Sequence, residues 1–305
     1  MLFILVIIHC RSHKLSAGSK EQGMQDLQGK VAAITGGGSG LGREFALCCA
    51  ARGMKLVLGD VDEAGMQETL RVVEAAHPGT AAATMRLDVS KLEQVQAFAD
   101  LCKSEFGAAH LIFNNAGVSV GGPAWENTVA DWEWVMGVNL YGVVWGVKVF
   151  TPMFIEQGEG HIINTASAAG WLNGPSMSIY NVTKHSVVAL SETLALDLRD
   201  IEANVGVTCL CPAFFPTGIS DSGRNRPADM ADTIKPSEMM LKRAEMTKAA
   251  VQKGKIQAPD IAEQTLKAVE SNQFYVFPHR KIKQLIGLRA EAASAETTVF
   301  DSMNP

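Results

Sequence analysis

From residue 30 to 277 the chain alternates short, continuously apolar runs with longer stretches whose apolar positions recur every three to four residues. Runs of Val, Ile and Leu that do not alternate with polar residues belong to strands covered on both faces. Strands separated by helical stretches form βαβ units around a parallel sheet. The pattern predicts strands over residues 31–35, 56–59, 84–87, 111–113, 161–164, 205–209 and 274–277. It predicts helices over 63–76, 92–106, 131–156, 179–200 and 259–271, with another running on from about Arg43. The expected fold is α/β: a single Rossmann-type, doubly wound domain with a seven-stranded parallel sheet and helices on both faces.

The rhythm breaks at about residues 214–256, where Met and Leu are punctuated by Pro and Gly without a strand. So long an insertion in a compact domain predicts a lid carrying short helices over a binding cleft. Residues 24–280 are expected to form the domain. Residues 281–305 form a tail whose Lys281, Ile282, Lys283, Leu285 and Ile286 suit either a pocket cap or a contact with a neighbour. The opening run MLFILVII is shorter than the roughly 20 residues a bilayer span needs, and no cleavage site follows it. Residues 1–23 are therefore expected to be a disordered extension ahead of Met24, with no membrane span and a cytoplasmic location.

With 47% hydrophobic and 19% charged residues in 305, the chain can bury one large core. A net charge of -5 and the lack of a dense Lys/Arg cluster argue against a nucleic-acid partner. The six cysteines, at 10, 48, 49, 102, 209 and 211, lack the paired spacing of a metal site and read as reduced core residues.

Candidate chemistry begins directly after the first strand, where TGGGSGLG (35–42) opens a helix. Glycines there let the backbone turn tightly and approach a pyrophosphate, whose charge meets the positive end of the helix. The loop offers Gly36, Ser39, Gly40, Leu41 and Gly42 as cofactor-binding positions. Asp60 ends the second strand, where a carboxylate accepts bonds from ribose hydroxyls and repels a 2′-phosphate. Val61 follows it and brings no cation, so NAD is expected over NADP. Asp62 already stands where the next helix needs a cap.

Together with Asn114-Asn115-Ala116-Gly117 and the Tyr180-Asn181-Val182-Thr183-Lys184 segment, this loop makes residues 28–280 resemble the short-chain dehydrogenase/reductase family. The resemblance implies NAD-dependent hydride transfer between a secondary alcohol and a ketone, with Asn139, Ser167, Tyr180 and Lys184 as the catalytic set. Tyr180 and Lys184, four apart on a helix, share one face. A phenol serves as the acid and base if its pKa falls from about 10 toward neutrality, and nearby positive charge supplies that fall. Ser167 would hold the substrate oxygen, and Asn139 would support a water that links Lys184 to a proton relay. Asp88 and Val89 resemble the adenine contacts, Asn115 and Gly117 the lining of the nucleotide cleft, and Thr217 the threonine near the nicotinamide carboxamide. Pro212-Ala213 departs from the family's Pro-Gly, so the backbone at Ala213 is expected to avoid a positive φ.

The residues expected to face the substrate are 118–121, 168–173 with Trp171, Phe214, Phe215, Met239, Met240 and Leu241. They are mostly apolar and suit a bulky, uncharged aromatic or steroid-like substrate, although Arg224 and Arg226 could meet an anion. Apolar residues on several faces of 131–156 and 179–200 point to a homodimer or homotetramer. A non-catalytic NAD(H)-binding redox sensor is the alternative, but it would not need the catalytic set. A lyase or epimerase would want a larger substrate domain.

Overall fold

The computed structural model describes residues 24–231 and 235–302; the extension expected at 1–23 lies outside the described residues. Seven parallel strands form one sheet in the order β3-β2-β1-β4-β5-β6-β7. They are β1 (Val31–Thr35), β2 (Lys55–Asp60), β3 (Ala82–Arg86), β4 (Leu111–Asn114), β5 (Gly160–Thr165), β6 (Val205–Leu210) and β7 (Tyr275–Val276). The helices are α1 (Gly40–Ala51), α2 (Glu63–Ala76), α3 (Leu92–Phe106), α4 (Val129–Met136), α5 (Gly142–Gln157), α6 (Ser178–Asp200), α7 (Glu238–Gln252), α8 (Ala258–Glu270) and α9 (Lys281–Ser294).

The continuous hydrophobicity of the strands has a direct cause. Within β1, Ala32 and Ile34 enter one core with Phe45, Met66 and Leu266, whereas Val31 and Ala33 enter another with Phe98, Phe150 and Phe154. Both faces of the strand are thus covered. β1 pairs with β2 on one side, through Ala33 and Val57, and with β4 on the other, through Ala33 and Ile112. The chain reverses direction across the sheet at this point, which opens a crevice beyond the carboxyl ends of the strands.

Several elements differ from the sequence pattern. β3 begins at Ala82 because an edge strand, paired only with β2 and half exposed, carries a weak apolar signal. β7 shrinks to two residues, although the Phe274 carbonyl still accepts from Cys209 N–H at 2.7 Å. The single helix expected at 131–156 begins at Val129, capped reciprocally by Thr128 and Asp131, and is broken by a π-helical turn over Gly137–Tyr141. The lid has 3-10 turns at Gly218–Asn225 and Ala228–Met230, but its main element, α7, is 15 residues long rather than short. Residues 129–157 make a stretch long and apolar enough, by length and composition, to cross a membrane. In this fold it lies on β4 and β5 with Val143, Phe150 and Phe154 buried.

One buried histidine ties the fold to pH. His161 on β5 is 1% exposed, its Nε2 is 2.8 Å from Thr208 Oγ1, and burial pushes its pKa down to about 3. The folded protein keeps the ring neutral while the unfolded chain protonates it below about 6.5, so stability falls as pH drops through that window toward 3. His161→Gln is expected to flatten the urea-stability profile between about pH 6.5 and 4; an unchanged slope would contradict this.

Candidate active site

Beyond the carboxyl ends of the strands lies a cavity of about 780 Å³, walled by the glycine loop, the loops after β4, β5 and β6, the lid and α9. The glycine loop turns because Gly36 and Gly37 both donate to the Gly59 carbonyl, at 2.8 and 3.2 Å. Gly36 has φ +69°, and a Cβ there would stand 2.9 Å from Ala116 Cα. A Cβ on Gly42 would fall 1.9 Å from the Gly36 carbonyl oxygen. That glycine is required for packing, and it does not line the cavity. Ser39 begins α1 without a side-chain capping bond, so the first-turn N–H groups are presented to whatever occupies the cleft.

Asp60 closes the far end of this loop. Its Oδ2 accepts from Gly38 N–H at 2.9 Å and its Oδ1 from Asp62 N–H at 3.0 Å. Burial raises its pKa, and these N–H groups oppose the rise. Asp62 caps α2 through Gly65 N–H at 2.9 Å, which leaves Asp60 to face the cleft. Asp88, Val89, Asn115, Gly117 and Thr217 also line it. Asn115 steadies the central strand, its amide donating to the Thr35 carbonyl at 3.0 Å. The tight glycine turn, the uncapped helix start and the cleft-facing carboxylate together fit a dinucleotide.

At the other end stand Ser167, Tyr180 and Lys184. α6 carries Tyr180 and Lys184 one turn apart, and the Lys184 ammonium lies 5.7 Å from the centre of the Tyr180 ring. Lys184 is 3% exposed, and its Nζ donates to the Thr165 carbonyl at 2.7 Å. Burial lowers it to about 8. Burial pushes the Tyr180 phenol up to about 12, opposed by the Ser167 hydroxyl. Without cofactor, burial therefore sets the direction of the phenol's shift, while the ammonium sits against the ring and is engaged by a carbonyl. Ser167 Oγ donates to the Pro212 carbonyl at 3.3 Å and accepts from Ala169 N–H at 3.1 Å. The same hydroxyl proton can turn to the phenolate oxygen when Tyr180 ionises.

Asn139 does not reach the cavity. It is fully buried in the π turn, where it accepts from Val118 N–H at 2.8 Å and donates to the Val118 carbonyl at 2.9 Å. It thereby clamps the loop after β4 to α6, also reaching Thr183 Oγ1 at 3.4 Å. Ala213 avoids a positive φ, as expected; its N–H donates to His279 Nδ1 at 3.1 Å.

The substrate side differs from the expectation. Val118, Ser119, Ala168, Ala169, Leu172, Phe214 and Phe215 line the cavity, but Met239, Met240, Leu241 and Trp171 do not. Met240 packs where a Gly122 Cβ would stand, Met239 and Leu241 are half exposed, and Trp171 turns its Nε1 to Cys211 Sγ at 3.4 Å. The lid instead contributes Ile219, Met230, Thr247 and Val251. Ile282, Leu285 and Ser302 of the tail complete the wall, with Ser302 Oγ held 3.0 Å from the Asn173 carbonyl. The apolar i, i+3 spacing of Ile282 and Leu285 was the only sequence signal for this cap. Arg226 does not await an anion: its Nη1 pairs with Asp131 Oδ1 at 2.7 Å, and its guanidinium lies 5.3 Å from the Trp134 ring centre.

The short chain dehydrogenase family model matches residues 30–228. A short chain dehydrogenase/reductase from Burkholderia phymatum, solved in complex with NAD, superposes with a TM-score of 0.89 at 46% identity over 91% of this chain and 99% of its own. A CLA biosynthesis dehydrogenase/reductase of Lactiplantibacillus plantarum is 33% identical over 86% of this chain and 92% of its own. Estradiol 17-beta-dehydrogenase 11 of Pongo abelii is 31% identical over 71% of both. With this glycine loop, this Tyr180 and Lys184 pair and this sheet, the chain belongs to the short-chain dehydrogenase/reductase family of oxidoreductases.

Proposed function

We propose that the protein interconverts an uncharged, bulky secondary alcohol and its ketone with NAD(H), and that Tyr180 moves the proton. The observation that carries this reading is the convergence of Ser167, Tyr180 and Lys184 in the same cleft as the glycine loop and Asp60. When bound, the nicotinamide gives or takes the hydride. Ser167 holds the substrate oxygen, and Tyr180 Oη protonates it in reduction and deprotonates it in oxidation. Lys184 and the charge of the oxidised cofactor lower the phenol from the high value that burial imposes. The apolar wall of Leu172, Phe214, Phe215, Met230 and Ile282 selects a bulky uncharged partner.

The test is turnover of purified protein with NADH against cyclohexanone, 2-acetylnaphthalene, a 17-ketosteroid and pyruvate, read by NADH absorbance. Apolar ketones should be reduced and pyruvate should not. Tight NADH binding without turnover of any ketone would favour the sensor reading, and a preference for pyruvate would overturn the substrate class.

The Asp60 carboxylate in the cleft, followed by Val61 rather than a basic residue, favours NAD. Asp60→Ser should weaken NADH binding about tenfold to a hundredfold, as expected for lost bonds to a charged acceptor, and should narrow the preference over NADPH. Fluorescence titration with both cofactors reads this, and an unchanged preference would contradict it.

The face of α5, α6 and the π turn before α5 exposes Tyr141, which is 46% exposed and stacked on Trp145, as well as Ile155, Val182 and Leu196. We read this face as the surface between copies of the chain. Light scattering should give the mass of two or four chains, and a monomer would refute it.

A further inference from the structure

We propose that Arg224, on the first turn of the lid, clasps the pyrophosphate of the bound dinucleotide from the side opposite the glycine loop. The proposal rests on reading the cleft as a dinucleotide site and adds a binding residue that the glycine loop does not supply. Arg224 lines the same cavity as Gly36, Ser39 and Gly40. The lid begins against that loop: a Cβ on Gly40 would stand 3.9 Å from the Thr217 side chain. The Arg224 guanidinium folds back over the next residue, its Nη2 3.3 Å from where a Gly218 Cβ would stand.

This position is anchored on both sides. Ser222 is 4% exposed, and its Oγ accepts from Ser119 N–H at 3.1 Å, pinning the turn to the loop after β4. Arg226 is pinned by Asp131. Arg224 Nη1 donates only to backbone carbonyls, of Gly218 at 2.9 Å and Asp221 at 2.7 Å. Among the described residues no carboxylate pairs with it, whereas the other two arginines that line the cavity, Arg86 and Arg226, each have one. A forked, permanently charged donor held beside a glycine loop suits the two-phosphate bridge of a dinucleotide.

NADH affinity, measured by fluorescence titration, tests this in the wild type, Arg224→Gln, Arg224→Lys and Lys242→Gln, with adenosine as a competitor that lacks phosphate. Lys242 is an exposed lid cation that does not line the cavity. Arg224→Gln should weaken NADH about tenfold, and should lose part of the wild type's salt dependence. Arg224→Lys should recover part of the affinity, while Lys242→Gln and the adenosine affinity stay within about twofold of the wild type. NADH binding by Arg224→Gln within twofold of the wild type would overturn the clasp. Equal weakening by Lys242→Gln would assign the effect to the general field, and equal loss of adenosine would assign it to lid folding; either overturns it. A wild type that binds neither NADH nor NADPH would overturn the dinucleotide reading itself and the clasp with it.

Discussion

Tyr180→Phe is expected to lower kcat/KM for ketone reduction by about 10² to 10⁴, the usual contribution of a positioned proton donor, while the Kd for NADH stays within about twofold. The substitution keeps the ring that packs 5.7 Å from the Lys184 ammonium and removes only the phenolic oxygen. A loss confined to kcat/KM separates proton transfer from damage to the site. Ser167→Ala should fall between the two, because it leaves the proton donor in place but frees the substrate oxygen. Turnover by Tyr180→Phe at the wild-type rate would remove the phenol from the mechanism.

Asp131→Ala should produce the largest change in stability. Asp131 and Arg226 form a pair whose side chains are 4% and 8% exposed, and breaking a buried pair from one side typically costs about 3–5 kcal/mol. The same carboxylate accepts from Thr128 N–H at 2.8 Å and closes the cap of α4. Urea unfolding should therefore show a large fall in midpoint. Asp131→Ala combined with Arg226→Met should cost less than the sum of the single changes, because the double variant leaves no buried charge behind. A single-variant loss below about 0.5 kcal/mol, the range of ordinary surface changes, would show that the pair does not hold the lid.

The strands were legible because each is covered on both faces, as the two cores reached from β1 show, so burial wrote itself into the sequence as unbroken apolar runs. The glycine loop was legible for a local reason: the turn, the helix start and the close approach to Ala116 all lie within a few residues. Tyr180 and Lys184 were legible because helix geometry alone puts i and i+4 on one face.

What the pattern missed depends on distant partners. Asp131 and Arg226 are 95 positions apart, and nothing near either residue announces the other. Met239, Met240 and Leu241 looked like pocket residues because they are apolar, but periodicity does not say which surface a lid helix meets. The Asn139 amide is matched to both backbone groups of Val118, a pairing 21 positions away that its neighbours do not announce. The π turn that allows this interrupts a hydrophobic pattern that otherwise continues as one helix. The phenol's upward shift depends on burial that only the folded cleft shows.

The chain has three tyrosines, so tyrosinate absorbance can follow Tyr180 directly by comparing the wild type with Tyr180→Phe across pH, with and without NAD. Without cofactor, the difference between the two proteins should appear only above pH 10, in line with burial pushing the phenol up to about 12. With saturating oxidised cofactor it should move well below pH 10. A transition that stays above 10 in the complex would contradict the assignment of Tyr180 as the group that carries the proton.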